Sequence, residues 1–155
     1  MGRFFYIKMG SPRLKNWITQ EWKPLLGYSP SFSLLSNSWV VFHFLSEEDL
    51  LKIQEKVWLI DRGVLMAKRW SPGFNPLTDR FEKICLWVLM PDLPIELWDA
   101  SVMKRIGDTL GSFMFFDEKD LRWESKTMAW CLVEMELERG LPEEVEIITE
   151  RGAHL

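Results

Sequence analysis

Two short segments of the chain place aromatic rings beside basic or imidazole side chains at the spacing of β-strands. Residues 3–9 read RFFYIKM, and residues 39–45 read WVVFHFL. Rings on the open face of a sheet can stack on unpaired bases, and lysine or arginine side chains can contact phosphates. The chemistry that these residue types favour is therefore the binding of single-stranded nucleic acid.

Strand alternation divides the second segment into an apolar face and a mixed face. The all-apolar face, which we expect to pack on helices, consists of Val40, Phe42 and Phe44. The opposite face carries Trp39 and His43, and we expect it to remain open. Val41 lies on the same face at the position where an RNA-recognition motif has its second stacking ring, so this strand offers one ring fewer than that motif.

The first segment is predicted to contribute to the same open face. Alternation directs one set of its side chains toward the helices, namely Phe5, Ile7 and Met9. Phosphate contacts are expected from Lys68 or Arg69 on a later strand. The predicted nucleic-acid-binding residues are thus Phe4, Tyr6, Lys8, Trp39, His43, Lys68 and Arg69. The alternative left open is that the second half of the chain, or a partner, covers these aromatic side chains.

The elements predicted around these residues follow the order β-α-β-β-α-β within residues 1–70. Ser11-Pro12 begins one helix, and Ser46 begins the second, whose first turn is acidic. A hairpin loop is expected at residues 36–38. This order is the ferredoxin-like arrangement that RNA-recognition motifs share. We therefore predict an α+β fold in which a four-stranded sheet is backed by two helices.

The rest of the chain is predicted to form a smaller β-α-β-β companion unit over residues 84–150. Residues 71–83 contain Ser-Pro-Gly and Asn-Pro breaks and are expected to form a hinge. The companion unit's helix should end at Gly111 as a left-handed glycine cap. Its strand over residues 127–137 should have one buried and one wet face, and a last strand is expected at 145–149. Because a second helix is lacking, we expect the unit to pack on the first in one compact domain.

Charge is divided unevenly along the chain. The net charge is −4, but residues 1–70 hold ten Lys or Arg against six Asp or Glu, and residues 71–155 hold nine against seventeen. The first part is therefore about +4 and the second about −8. The first part would attract a polyanion and the second would repel it. A nucleic-acid site is thus expected before the hinge, and its affinity is expected to be low.

The sequence offers little support for catalysis or for a bound cofactor. It contains no nucleophile elbow, P-loop or metal-spaced histidine pair. The acidic pairs at 117–118 and 143–144 are expected in solvated runs, and His154 at a frayed terminus. Cys85 and Cys131 are expected to be reduced core residues. We therefore predict no enzyme activity, no cofactor and no small-molecule substrate.

No apolar run approaches the roughly 20 residues of a membrane-spanning helix. The segment MGRFFYIKMG also lacks the length and the cleavage site of a signal peptide. We expect an intracellular protein of the nucleus, the cytoplasm or both, without membrane association.

Three blocks of the sequence resemble a known family. They are RWSPGFNP at residues 69–76, KICLWVLMPDLPIELW at 83–98 and VMKRIGDTLG at 102–111. The family they resemble is the plant domain of unknown function 4283, which occurs in first-open-reading-frame proteins of LINE-type retrotransposons and in host-encoded relatives. The resemblance implies a retrotransposon-derived, non-catalytic domain that binds nucleic acid, with RNA as the expected ligand. A zinc knuckle commonly follows the domain in that family, so zinc is expected only if such a knuckle lies downstream of these residues.

The alternative interpretation is a protein–protein interaction or self-assembly module that does not bind nucleic acid. Exposed aromatic side chains and the opposite charges of the two halves could drive self-association. This interpretation predicts oligomers that weaken as salt rises. Nucleic-acid binding instead predicts a salt-dependent affinity for RNA without any change in protein mass.

Overall fold

The computed structural model describes residues 1–116, 126, 128–140 and 146. Several predicted features fall outside these residues: the acidic pairs at 117–118 and 143–144, His154, and the strand at 145–149 apart from Glu146.

The chain divides into two compact units, Met1–Asp79 and Arg80–Leu155. Both contain antiparallel sheets and a few helices, so the predicted α+β class is confirmed. Residues 71–79, which were expected to form part of a hinge, belong to the first unit.

The first unit is built on a five-stranded antiparallel sheet. Its strands are β1 (Gly2–Phe5), β2 (Ser31–Leu34), β3 (Trp39–His43), β4 (Trp58–Ile60) and β5 (Gly63–Ala67). They lie in the order β2-β3-β1-β5-β4. The four strands β2-β3-β1-β5 are compatible with the predicted ferredoxin-like arrangement. The fifth strand, β4, was not predicted, and it joins the edge of the sheet through a hairpin with β5.

Three helices accompany this sheet: α1 (Ser11–Glu21), the short α2 (Lys23–Leu26) and α3 (Glu47–Gln54). The predicted cap of α3 is confirmed, because the Ser46 hydroxyl oxygen accepts a hydrogen bond from the Asp49 backbone N–H at 3.2 Å. The cap position of α1 is held by Gly10, so Ser11 lies inside the helix. Pro12 fits the first turn, where its missing N–H would have no intrahelical partner.

A tryptophan-rich core joins α1 and α3 to one face of the sheet. Its buried residues are Phe4, Leu14, Trp17, Ile18, Trp22, Val40, Phe42, Ile53, Trp58, Ile60 and Leu65. The rings of Trp17, Trp22 and Trp58 meet edge to face, with centroids 5.2 to 6.1 Å apart. Each such ring removes on the order of 150–250 Å² from water when buried. These three rings therefore supply much of the apolar burial that holds the helices against the sheet.

Among its described residues, the second unit has a three-stranded antiparallel sheet and one longer helix. Its elements are β6 (Lys83–Pro91), α4 (Ala100–Leu110), β7 (Ser112–Phe116) and β8 (Met128–Glu136). The strand order is β6-β8-β7, and α4 packs on one face of the sheet through Met103 and Ile106. The Asp99 carboxylate caps α4 by accepting the Ser101 backbone N–H at 2.6 Å.

Two details of the second unit differ from the predictions. Gly111 ends α4, but with a φ of −179° it is extended and not left-handed. Glycine is required there for a different reason, since a Cβ would collide with the carbonyl oxygen of Glu134. The β8 face opposite α4 is only partly exposed to solvent. Leu132 lies on that face beside Glu134 and is 1% exposed.

Candidate nucleic-acid interface

The outer face is the side of the first unit's sheet that α1 and α3 do not cover. Strand register defines it, because the residues that alternate with core residues such as Phe4, Val40 and Leu65 point away from the helices. Its side chains are Arg3, Phe5, Ser31, Ser33, Trp39, Val41, His43, Leu59, Val64 and Met66. Trp39 and His43 thus lie on the face that the sequence predicted.

The prediction of which sheet face each side chain of the first strand points to is wrong for Phe4 and Phe5. Phe4 points into the helix-side core and is 4% exposed, whereas Arg3 and Phe5 lie on the outer face. The strand ends at Phe5, and Tyr6 has a left-handed φ of 65°. This conformation interrupts the alternation that a continuous strand would have had. Ile7 therefore packs against the core as predicted, even though Phe4 does so too.

Trp39 is not an open stacking ring, so the prediction of its exposure is wrong. Its relative exposure is 0%. The ring of Phe74 meets it edge to face, with centroids 4.9 Å apart and an interplanar angle of 78°. Phe74 lies in the Ser-Pro-Gly-Phe-Asn-Pro segment that was expected to be a hinge. The stacking position on the outer face is therefore filled by the chain itself.

Two cations complete the surroundings of the Trp39 ring. The Arg3 guanidinium carbon lies 5.6 Å from its centroid, and the Lys68 ammonium nitrogen lies 5.2 Å from it. Lys68 is also 5.8 Å from the Phe74 ring centroid and 3.3 Å from an Asp79 carboxylate oxygen. Each cation is attracted to the negative face of the aromatic ring. The arrangement concentrates positive charge and aromatic surface at one point of the outer face.

The backbone fixes these cations in place. Arg3 lies directly opposite Trp39 in the β1–β3 register, and its Nε donates a hydrogen bond to the Asn37 carbonyl oxygen at 3.1 Å. The Lys68 backbone N–H donates to the Met1 carbonyl oxygen at 2.8 Å, which continues the β1–β5 pairing by one residue. Arg3 therefore extends from β1 and Lys68 from the residue after β5, and the backbone at both positions is ordered before a ligand is contacted.

His43 and Arg69 lie together at a second place, near the beginning of α3. An open groove of about 410 Å³ is lined by Phe42, His43, Phe44, Ser46, Glu47, Leu50 and Arg69. The Arg69 guanidinium forms an ion pair with the Glu47 carboxylate. The hydrogen bond that Arg69 donates to this carboxylate, together with the charge of Arg69, holds the pKa of Glu47 below its ordinary value. Arg69 is thus an exposed cation that already has an anionic neighbour, and a phosphate would compete with Glu47 for it.

Tyr6 and Lys8 lie in the segment that joins β1 to α1. Tyr6 is 54% exposed, and Lys8 is exposed as well. The seven predicted residues are therefore spread over four environments. Trp39 and Lys68 share the cluster under Phe74, His43 and Arg69 share the groove, Tyr6 and Lys8 follow β1, and Phe4 is in the core.

Sequence reasoning missed Arg3 and Phe5 as members of the outer face and Phe74 as the residue that covers Trp39 there. Arg3 and Phe5 were hidden by the assumption of an unbroken strand over residues 3–9. Phe74 had a signal that was available, because a large ring between a glycine and an asparagine in a proline-rich loop needs apolar surface to cover it. Nothing in the residue types alone indicated that this surface would be Trp39.

The described residues hold no cluster of three or more His, Cys, Asp or Glu side chains that could bind a metal ion. In the same residues, no helix has both the length and the apolar character that crossing a membrane requires. Cys85 and Cys131 are reduced and buried, as predicted. Burial, with a further effect of the Glu134 charge, raises the pKa of Cys85 to about 12, and burial raises the pKa of Cys131 to about 11. Both thiols are therefore protonated at neutral pH and poor nucleophiles.

A family model described as "Domain of unknown function (DUF4283)" matches residues 1–78 of the chain. The match covers half of the 155 residues. It includes RWSPGFNP and ends one residue before the end of the first compact unit. The other two blocks that resemble the family lie beyond the matched range. No curated protein and no solved structure shows a significant match. The match over the whole sheet of the first unit, with the Phe74 segment, identifies the chain as a member of the domain of unknown function 4283 family.

Proposed function

We propose that the first unit binds single-stranded nucleic acid, RNA in preference to DNA, as a non-catalytic module that uses its outer face. One observation carries the proposal. The helix side of the sheet is entirely apolar, whereas the outer face combines two cations, Arg3 and Lys68, with the rings of Phe5 and Trp39. Rings and cations on one sheet face are the groups that contact bases and phosphates of a single strand.

The exposed part of the outer face lies on β2 and β3. Ser31 and Ser33 are exposed and lie directly opposite His43 and Val41 in the strand register. Hydroxyl and imidazole groups can exchange hydrogen bonds with base edges and with the ribose hydroxyl, and this hydroxyl is what distinguishes RNA from DNA. The proposed path of the strand therefore runs across β3 and β2, with Arg3 beside it for a phosphate.

The expected affinity is low. Trp39 is covered by Phe74, and Lys68 has Asp79 as a counter-ion. Two phosphate contacts would give a slope of only about −1.4 in a log–log plot of affinity against salt, since each contact on a single strand contributes roughly −0.7.

The sequence blocks resemble a plant domain family that occurs in first-open-reading-frame proteins of LINE-type retrotransposons and in host-encoded relatives, and this resemblance supports a related origin for this chain. We infer a retrotransposon-derived protein that acts in the nucleus, the cytoplasm or both. A non-sequence-specific RNA-binding module fits that setting, because coating an element's transcript needs backbone and stacking contacts and no base readout.

The test is a fluorescence-anisotropy titration of the chain against labelled single-stranded RNA and DNA at several salt concentrations. Arg3→Gln should weaken RNA binding several-fold and reduce the salt slope by about 0.7. Lys15→Gln is the matched control, because Lys15 is an exposed lysine of α1 on the helix side. The absence of RNA binding in low salt would refute the proposal, and equal losses for both variants would refute the outer face as the site.

Self-association is the second candidate function, and the second sheet supports it. The face of that sheet opposite α4 carries the rings of Trp87 and Phe115, whose centroids are 6.3 Å apart. Leu89 and Met128 on the same face are 39% and 52% exposed. Sedimentation velocity over a wide concentration range tests this candidate. A mass that rises with concentration and falls in Leu89→Ser supports it, and a monomer at every concentration refutes it.

A further inference from the structure

We propose that residues 71–79, here called the strap, are a displaceable cover that occupies the place of a bound nucleotide on Trp39. The inference rests on the proposed function and concerns its regulation. The strap presents one ring, Phe74, to the Trp39 ring and one carboxylate, Asp79, to the Lys68 ammonium. A nucleotide would present the same two groups, an aromatic base and an anionic phosphate.

The position of Trp39 makes it the natural stacking site of the sheet. It lies on β3, which is flanked by β1 and β2, and its ring is on the outer face beside Arg3. Its environment contains two cations within 5.6 Å of the ring centroid. Two aromatic rings can pack in an apolar core without any cation beside them. The two cations here suit a ligand that is both aromatic and anionic.

The strap is folded on itself and does not extend the sheet. The Asn75 carbonyl oxygen accepts the backbone N–H groups of Thr78 and Asp79 at 3.1 and 2.8 Å, and the Asn75 side-chain oxygen accepts that of Leu77 at 2.9 Å. The five-stranded sheet contains none of its residues. The strap can therefore leave the outer face without breaking a backbone ladder.

Side chains attach the strap to the sheet. The Phe74 ring rests on Trp39, Asp79 pairs with Lys68, and the Asn37 side-chain amide donates a hydrogen bond to the Pro76 carbonyl oxygen at 3.3 Å. A bound strand would replace the first two of these contacts with a stacked base and a phosphate on the same partners. The exchange would be closely balanced, so the strap would lower RNA affinity without abolishing binding.

The experiment compares RNA affinities of the full chain and of Phe74→Ala by anisotropy, with a labelled twelve-nucleotide oligouridylate as the probe. Opening the Trp39 ring to one base should raise affinity about fivefold or more. Leu77→Ala is the control, because Leu77 is on the same strap and 73% exposed. The double variant Trp39→Ala/Phe74→Ala should lose the gain.

A second variant keeps both rings in place. Asp79→Asn removes the carboxylate that pairs with Lys68 and should raise the affinity for the RNA probe. Glu21→Gln is the control, because it makes the same charge change on the exposed surface of α1. The increase in RNA affinity should be larger for Asp79→Asn than for Glu21→Gln. An equal increase in these two variants would reduce the Asp79 effect to net charge and would count against the inference.

The outcomes separate the strap from the function. If the wild-type chain binds RNA and Phe74→Ala binds no tighter, the strap inference is overturned and the proposed function stands. If Leu77→Ala raises RNA affinity as much as Phe74→Ala does, the increase comes from a general loosening of the strap and not from the Phe74 ring, and the inference is also overturned. If Phe74→Ala binds about fivefold tighter than the wild-type chain or more, and Leu77→Ala does not, the cover is supported. If neither binds in low salt, the proposed function fails and the inference fails with it.

Discussion

Replacing Trp39 by alanine should destabilise the first unit strongly, which is the reverse of what an open stacking ring would do. An exposed ring could be removed with little effect on folding. Trp39 is instead 0% exposed and contacts Phe74, Arg3 and Lys68. The substitution would leave a large cavity on the outer face and would remove the surface on which the strap rests.

The expected magnitude follows from these contacts. Removal of a fully buried tryptophan costs about 3–5 kcal/mol of unfolding free energy. Within that total, the edge-to-face contact with Phe74 contributes on the order of 0.5–1.5 kcal/mol, and each cation contributes about 0.5–1 kcal/mol. Phe74→Ala removes a ring that is only partly buried, so its cost should be smaller, about 1–3 kcal/mol. The loss of unfolding free energy in Trp39→Ala/Phe74→Ala should be smaller than the sum of the two single losses by about 0.5–1.5 kcal/mol. The reason is that each single variant already loses the contact between the two rings.

The assay is urea denaturation followed by far-ultraviolet circular dichroism. Trp70→Ala is the matched control, because Trp70 is a tryptophan of the same unit that is 57% exposed. Its substitution should change the unfolding free energy by less than about 1 kcal/mol. If Trp39→Ala costs no more than Trp70→Ala, or if the Trp39–Phe74 cycle shows no coupling, then the strap does not cover Trp39 and the account of the outer face is wrong.

Further substitutions and titrations test other parts of the structure. Ser46→Ala should destabilise the first unit by about 1 kcal/mol in urea denaturation, since it removes the side-chain cap of α3, and Ser46→Asp should restore most of the loss. Gly111→Ala should cost about 1–3 kcal/mol because its methyl group would collide with the Glu134 carbonyl oxygen; a neutral effect would contradict the close packing of α4 on β8. Cys85 and Cys131, with pKa values raised to about 12 and 11, should react with a thiol reagent only on unfolding at neutral pH. Because a raised thiol pKa favours the protonated folded state, stability should fall as pH rises from about 9, where the unfolded thiols ionise, toward 11.

The local features of the first unit could be predicted because each has a short-range physical signal. Ser46 before three acidic residues indicated a capped helix, and the structure has that cap. Ser36-Asn37-Ser38 indicated a hairpin loop, and Asn37 and Ser38 there adopt left-handed φ angles of 61° and 63°. Polar, turn-forming residues tolerate that conformation between two strands.

The candidate site was harder to predict because it depends on one backbone angle and one long-range contact. A left-handed Tyr6 is uncommon for an aromatic residue, so nothing in RFFYIKM indicated that the strand would end at Phe5. The burial of Trp39 depends on Phe74, which is distant in sequence and lies in a loop. The β4 strand did have a signal, because Trp58-Leu59-Ile60 followed by Asp61-Arg62-Gly63 is an apolar run before a turn. The predicted β-α-β-β-α-β order had no strand at this position.

An NMR titration of the isotope-labelled chain with a single-stranded RNA oligonucleotide in low salt tests the central claim most directly. The claim is that the outer face of the first unit is a nucleic-acid-binding surface. It predicts that the amide signals of Arg3, Val41 and His43 shift with increasing RNA, while those of Lys15 and its neighbours on α1 do not. Shifts confined to the helices, or a spectrum that RNA leaves unchanged, would contradict the claim.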